Sequence, residues 1–214
     1  IRVDKEPDFS EPLEYLAFIK NIYHYKEVFI ANPTGAIILS TDKNNIGRDV
    51  VSTQYFQEAL KGKTFFFYIM PSPVPIENEF GELESGLPTM FVSNQVTNEK
   101  MEVLGVLVYR LDVNELIKLI IPMKATETGE IYLINKEGFM LTKSRFTENL
   151  KESGIIKKRT PLELKMTNPK TGNLTLAVQQ CLKGQEGYNE TGYLDYRGVS
   201  VIGYWTWLPY LNWG

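Results

Sequence analysis

The stretch EVFIANPTG at 27–35 returns in near copy as EIYLINKEG at 130–138. In both, a Glu leads three apolar or aromatic residues, an Asn stands sixth and a Gly ninth. Asn-x-x-Gly is turn chemistry, because Gly accepts φ > 0 and Asn bonds its own backbone. AIILST after the first turn and FMLT after the second complete two β-hairpins. A second pair follows in the same order. YFQEALKG (55–62) and LAVQQCLKG (176–184) both read as short helices ended by a Gly just past the last turn. A repeated order of hairpin then helix means duplication of one small α+β module. The spacing predicts two units, each built on an antiparallel sheet, dividing near Pro122 to Thr128.

The remaining segments fit this plan. Residues 10–26 read as a helix, with Ser10 as cap, Pro12 in the first turn, and Tyr15, Phe18, Ile19 and Ile22 as an apolar stripe. TFFFYIM, PTMFVSNQV and EVLGVLVYRLD read as strands. Residues 71–88 between the first two are rich in Pro and Glu, which predicts a long, acidic, exposed loop. DVNELIKLII reads as a helix ended by Pro122, and GYNETGYLDY with VSVIGYWTWLP forms a hairpin around Arg197-Gly198.

At 43% hydrophobic and 23% charged residues, the chain is globular in composition and not disordered. A net charge of −3 and the absence of a basic block argue against nucleic acid as a partner. One Cys excludes an intrachain disulfide and leaves the compartment open. The longest apolar runs, VLGVLVY and LIKLII, are too short to span a bilayer, and no signal peptide is visible. The abrupt start at Ile1 and the stop at LNWG read as the ends of an excised fragment.

Catalysis finds few groups to work with. The single His, His24, lies in a helix between Tyr23 and Tyr25 and reads as a surface or packing residue. Cys181 stands where the first copy has Ala59, so it reads as a small buried side chain and not a nucleophile. The run TDKNNIGRD begins like a calcium loop with Asp42, Asn44 and Gly47, but Ile46 and Thr53 occupy ligand positions, so no metal site is expected. Asn173 and Asn189 open glycosylation sequons, which matter only in a source that glycosylates its exterior.

Taken in order, EVFIANPTGAIILSTD, IGRD, YFQEALKG and VLGVLVYRLDVNEL resemble the membrane-distal half of a double Cache domain. TGEIYLINKEGFMLT, DYRGVSVIGY and the terminal WG resemble its membrane-proximal half. The resemblance implies an α+β fold of two tandem PAS-like units with central antiparallel sheets, joined by an N-terminal stalk helix. Residues 1–26 are then the end of that helix, 27–122 the distal, ligand-binding unit, and 123–214 the proximal unit. Double Cache domains are extracytoplasmic sensor modules of prokaryotic receptors, entered from one transmembrane helix and left by another. The implied parent is a two-component sensor histidine kinase at the cell membrane, with a chemotaxis receptor as the alternative. Its partners are a small-molecule ligand, the membrane through flanking helices, and a second copy in a homodimer. No cofactor and no catalytic residue are implied. A soluble enzyme would need convergent titratable groups, and a purely structural module would lack an enclosed pocket.

The resemblance also implies where the ligand lies, between the distal sheet and the segment around STQYFQEA. A pocket there takes Tyr55 from that segment, Phe66 or Tyr68 from the next strand, Phe91 and Ser93 from the following one, and Arg110 from the last. Tyr suits such a site because its ring gives apolar area while its hydroxyl fixes orientation. Amino-acid-sensing members carry an Arg for the ligand carboxylate, a Trp beside the Tyr, and an Asp for the amine. Ser52, Gln54 and Arg110 stand at those places here, which points to a neutral or anionic ligand and not an α-amino acid. Arg110 has two readings. It faces the pocket and binds an anion, or it lies on the outer face and pairs with a Glu or Asp such as Asp112. On the first reading, Arg110→Ala is expected to weaken binding and leave the fold intact.

Overall fold

The computed structural model describes residues 10–66, 68–72, 75–78, 80–120 and 127–214. In chain order the elements are α1 (Ser10–Ile22), β1 (Glu27–Ala31), β2 (Ile37–Ser40), α2 (Gln54–Leu60), β3 (Phe65–Phe66), β4 (Met70–Pro71), β5 (Ile76–Glu77), β6 (Leu83–Glu84) and β7 (Pro88–Thr97). There follow β8 (Val103–Leu111), α3 (Val113–Ile120), α4 (Thr147–Glu152), α5 (Leu176–Leu182), β9 (Gly187–Leu194) and β10 (Ser200–Trp205). The chain divides into two compact units, Ile1–Phe67 with Thr89–Leu116 and Tyr68–Pro88 with Ile117–Gly214. The expected boundary near Pro122 falls on residues 121–126, outside the described residues.

In the first unit, five strands form an antiparallel path in the order β2-β1-β8-β7-β3. Alternation along the strands gives the sheet two buried faces. Phe29, Ala31, Val106, Val108 and Phe91 turn toward Tyr55, Phe56 and Ala59 of α2. Val28 and Leu39 turn the other way, toward Leu16 of α1. Helix α1 ends at Ile22, short of the expected Lys26, because His24 takes a left-handed backbone (φ 55°) and the Tyr25 N–H closes back on the Lys20 carbonyl at 3.0 Å. The expected strand TFFFYIM is two short pieces, β3 and β4.

Residues 71–88, expected as a long exposed loop of the first unit, belong to the second, together with Tyr68–Met70 from the end of the expected strand. The segment carries the small hairpin β5–β6. Arg159 donates to the Glu84 carboxylate, to the Ser85 carbonyl at 3.2 Å and to the Gly86 carbonyl at 2.7 Å, and so fixes the segment to its unit. Also in the second unit, β9 and β10 pair antiparallel. The core gathers Ile134, Met140, Leu150, Met166, Val178 and Cys181. The expected EIYLI and FMLT strands reduce to the single bridge Ile134–Met140 and its neighbouring backbone bonds. Helix α4 has no counterpart among the elements expected from sequence.

The repeated turns match in detail. Asn32 Oδ1 accepts from the N–H groups of Thr34 (3.1 Å) and Ala36 (3.0 Å), and the Gly35 N–H returns to the Asn32 carbonyl at 2.9 Å. Asn135 Oδ1 accepts from Glu137 (3.1 Å) and Phe139 (2.8 Å), and the Gly138 N–H returns to the Asn135 carbonyl at 3.0 Å. The turn between β7 and β8 repeats the pattern on Asn98, except that Met101 (φ 64°) occupies the left-handed position held by Gly35 (φ 95°) and Gly138 (φ 80°). A non-glycine residue there costs roughly 1–2 kcal/mol, and glycine's extra chain entropy offsets about half of that. Met101→Gly is therefore expected to raise stability by about 0.5–1 kcal/mol, seen as a higher denaturation midpoint at unchanged slope. Gly35→Ala should move the midpoint down, since the new Cβ would lie 2.6 Å from Val51 Cβ.

Candidate ligand-binding site

Four of the six residues expected at the site come together on the α2 face of the first unit's sheet. The Tyr55 and Phe91 rings stack with centroids 4.7 Å apart, and Phe29 meets Tyr55 edge-on at 6.4 Å. Ser93 Oγ donates to the Tyr55 carbonyl at 2.7 Å, fixing the first turn of α2 to β7. Arg110 of β8 lies between Glu27 of β1 and Phe91 of β7 in register, so its side chain leaves the sheet on the same side. Burial pushes the Tyr55 phenol up to about 12, with the nearby Glu27 charge acting in the same direction and a bond to Thr53 against it.

The other two lie elsewhere. Phe66 is 63% exposed. Phe65 pairs with Ser93 and packs on the core in its place, because successive residues of a strand point to opposite faces. Tyr68 belongs to the second unit, where its hydroxyl accepts from Asn212 Nδ2 at 2.8 Å.

Arg110 is 8% exposed and faces Glu27, which is 2% exposed. Its Nε lies 3.4 Å from Glu27 Oε2, yet that N–H has no hydrogen-bond partner among the described residues. No hydrogen bond from the rest of its guanidinium is formed among the described residues. The other oxygen of Glu27 is well held: Ser40 Oγ donates to Oε1 at 2.8 Å and Asn45 Nδ2 at 2.6 Å. Asp112, the partner expected for an outward Arg110, instead pairs with Lys26 at 2.9 Å. Glu27, Ser40 and Asn45 were not among the expected residues. Period-two alternation does put Glu27 on the face of Phe29 and Ala31, and that signal was available in EVFIA.

Elsewhere the chemistry is quiet. Cys181 is buried, its Sγ lies 3.1 Å from the Thr206 carbonyl, and burial raises its thiol to about 11. Among the described residues, no group of three His, Cys, Asp or Glu is placed to hold a metal ion.

The Cache domain family model matches residues 7–214. The chain belongs to the Cache domain family. The fold of this Cache domain is similar to the extracellular domain of rpHK1S-Z16 (15% identity, TM-score 0.55, 93% of this chain and 72% of that one). It is also similar to the sensor domain of the Vibrio cholerae histidine kinase DctB (12%, TM-score 0.50, 96% and 76%). A third likeness is to an extracellular ligand binding receptor of Desulfohalobium retbaense (14%, TM-score 0.50, 89% and 30%). At these identities the likeness establishes the fold. No curated protein matches the sequence.

The alkaline limb of stability reports on Tyr55. Its folded pKa lies above the unfolded value, so its contribution is complete below pH 10 and is lost as pH rises through 12. Two pH units correspond to roughly 2–3 kcal/mol at full burial. Tyr55→Phe should therefore lose less stability than the parent between pH 10 and 12 in denaturant titrations. Parallel curves would mean that the phenol is not buried as described.

Proposed function

We propose that this Cache domain is the extracytoplasmic ligand-sensing part of a membrane receptor, binding a small neutral or anionic molecule on the α2 face of its first unit. The observation that carries this is Arg110, whose buried Nε–H has no hydrogen-bond partner among the described residues. Buried donors are normally satisfied, and an acceptor from outside would satisfy this one. Tyr55, Phe91 and Ser93 supply the apolar and polar walls. Residues 27–67 and 89–116 then form the membrane-distal unit, and 68–88 with 117–214 the proximal one.

The same reading makes α1 the end of a stalk helix and the contact for a second copy. Tyr15, Phe18 and Ile22 support this, since they stay exposed while Leu16 packs on the sheet. Among the described residues no helix is long and apolar enough to cross a membrane, so attachment would come through flanking helices. The output domain is read as a histidine kinase, supported by the likeness in fold to the DctB sensor domain.

The test begins with a thermal-shift screen of small metabolites and continues with calorimetry on any compound that stabilises the domain. Arg110→Ala is a poor variant, because it leaves Glu27 without its counter-charge, and breaking a buried pair from one side typically costs 3–5 kcal/mol. Arg110→Lys keeps the charge but loses the planar fork. Binding should weaken about tenfold or more, the equivalent of roughly 1.4 kcal/mol, with the melting temperature little changed. Unaltered affinity in Arg110→Lys would place the ligand elsewhere.

A further inference from the structure

Glu27 stands against Arg110, and its two oxygens are treated differently. Oε1 is fixed by Ser40 and Asn45, while Oε2 meets the guanidinium at 3.4 Å without a hydrogen bond. If the guanidinium turned its fork to another acceptor while staying beside Glu27, the carboxylate would keep both of its hydrogen bonds and a nearby counter-charge. The guanidinium, for its part, would give up no formed bond. Exchange of partners is easiest under these two conditions, because the main cost of breaking a buried polar contact is the group left unsatisfied.

We propose that Glu27 is the resting partner of Arg110 and that the carboxylate of a small monoanionic ligand takes its place, turning an internal ion pair into an external one. This rests on the α2 face being the ligand site, and it adds the class of ligand and the contact the ligand must replace. Charge selects the class. Glu27 and Arg110 together are neutral, and the side chains around them on this face, Phe29, Tyr55, Phe91 and Val108, carry no cation. A monocarboxylate gains the planar fork of Arg110 and faces one repulsive neighbour. With Glu27 still ionised, a monocarboxylate leaves one net negative charge on this face and a dicarboxylate two, so the dianion carries the larger burial penalty.

The test follows the Arg110 ¹⁵Nε–¹H resonance of the labelled domain during titration with formate, acetate, propionate and succinate. It is run on the parent protein and on Glu27→Gln, which keeps an oxygen for Ser40 and Asn45 and removes the competing charge. The monocarboxylates should move the resonance in both proteins, with Kd lower by about tenfold or more in Glu27→Gln. Succinate should bind more weakly than propionate to the parent, and the gap should narrow in the variant. Equal monocarboxylate affinity in the two proteins overturns the proposal, as does a resonance that none of the four compounds moves. Should Glu27→Gln fail to fold, the Glu27 ¹³Cδ resonance of the parent decides: a shift on adding propionate supports the exchange, and a fixed resonance overturns it. A compound that stabilises the domain in the thermal screen but leaves the Arg110 resonance unmoved would sink the exchange and leave the sensing role standing.

Discussion

A carboxylate taken out of water has to be met by donors, and in the first unit that requirement falls on Glu27. Its burial draws in Ser40 from the end of β2, Asn45 from the turn that follows, and Arg110 from the end of β8. One charge thus ties together three segments that are distant in sequence, at the edge of the face where α2 packs. The energetic meaning of such a cluster is not simple stabilisation, since desolvating two charges can cost as much as their attraction returns. It is better understood as specification: the strands cannot slip by one residue without turning Glu27 and Arg110 to opposite faces.

The second unit holds its corresponding, half-buried Glu with different residues. Glu130, the leading residue of the second copy, accepts from Ser144 Oγ and from the Tyr196 hydroxyl, both at 2.6 Å, and from the Arg145 N–H at 2.9 Å. Burial and the bond to Glu130 raise the Tyr196 phenol well above its ordinary range. Among the described residues no cation takes the place that Arg110 holds in the first unit, and the donors reach both oxygens. Both units thus carry the leading Glu and its turn, but Glu130 is only half-buried and different groups answer its charge. In the first unit a guanidinium is left with an unused donor; in the second the donors are hydroxyls and backbone already engaged. That contrast supports the proposal that a ligand binds the first unit.

Local signals in the sequence were strong where one residue type has few alternatives. The Asn-x-x-Gly turns, the helices ended by Leu-Lys-Gly and the strands on either side of the Asn98 turn were all legible, because φ > 0 and an Asn bonded to its own backbone leave little choice. Helix α1 misled at its end, since His24 is not a residue expected in the left-handed region. The strands of the second hairpin were overread: the apolar pattern of EIYLI is present, but pairing there amounts to one bridge. Residues 71–88 read as a loop because Pro and Glu dominate them, and only long-range contacts such as those of Arg159 show which unit owns them. At the site, a slip of one residue separated Phe66 from Phe65. The face of Arg110 was undecided in the sequence because both readings used the same strand, and register alone resolves it.

Arg110 sits where the two faces of the sheet come closest to exchanging information. Its side chain meets Glu27 on the α2 side, while its backbone carbonyl accepts the Lys26 N–H at 2.9 Å, at the point where α1 hands over to β1. Lys26 Nζ pairs with Asp112 two residues beyond, so the end of β8 is fastened to that junction by a backbone bond and an ion pair. A ligand on the α2 face can shift the position of α1 only by the difference in its affinity for the two arrangements. The side chain best placed to create such a difference is one that changes partner when the ligand arrives and whose own backbone holds the start of β1. Arg110 holds the start of β1 through its carbonyl, and on the proposed exchange it is also the side chain that changes partner.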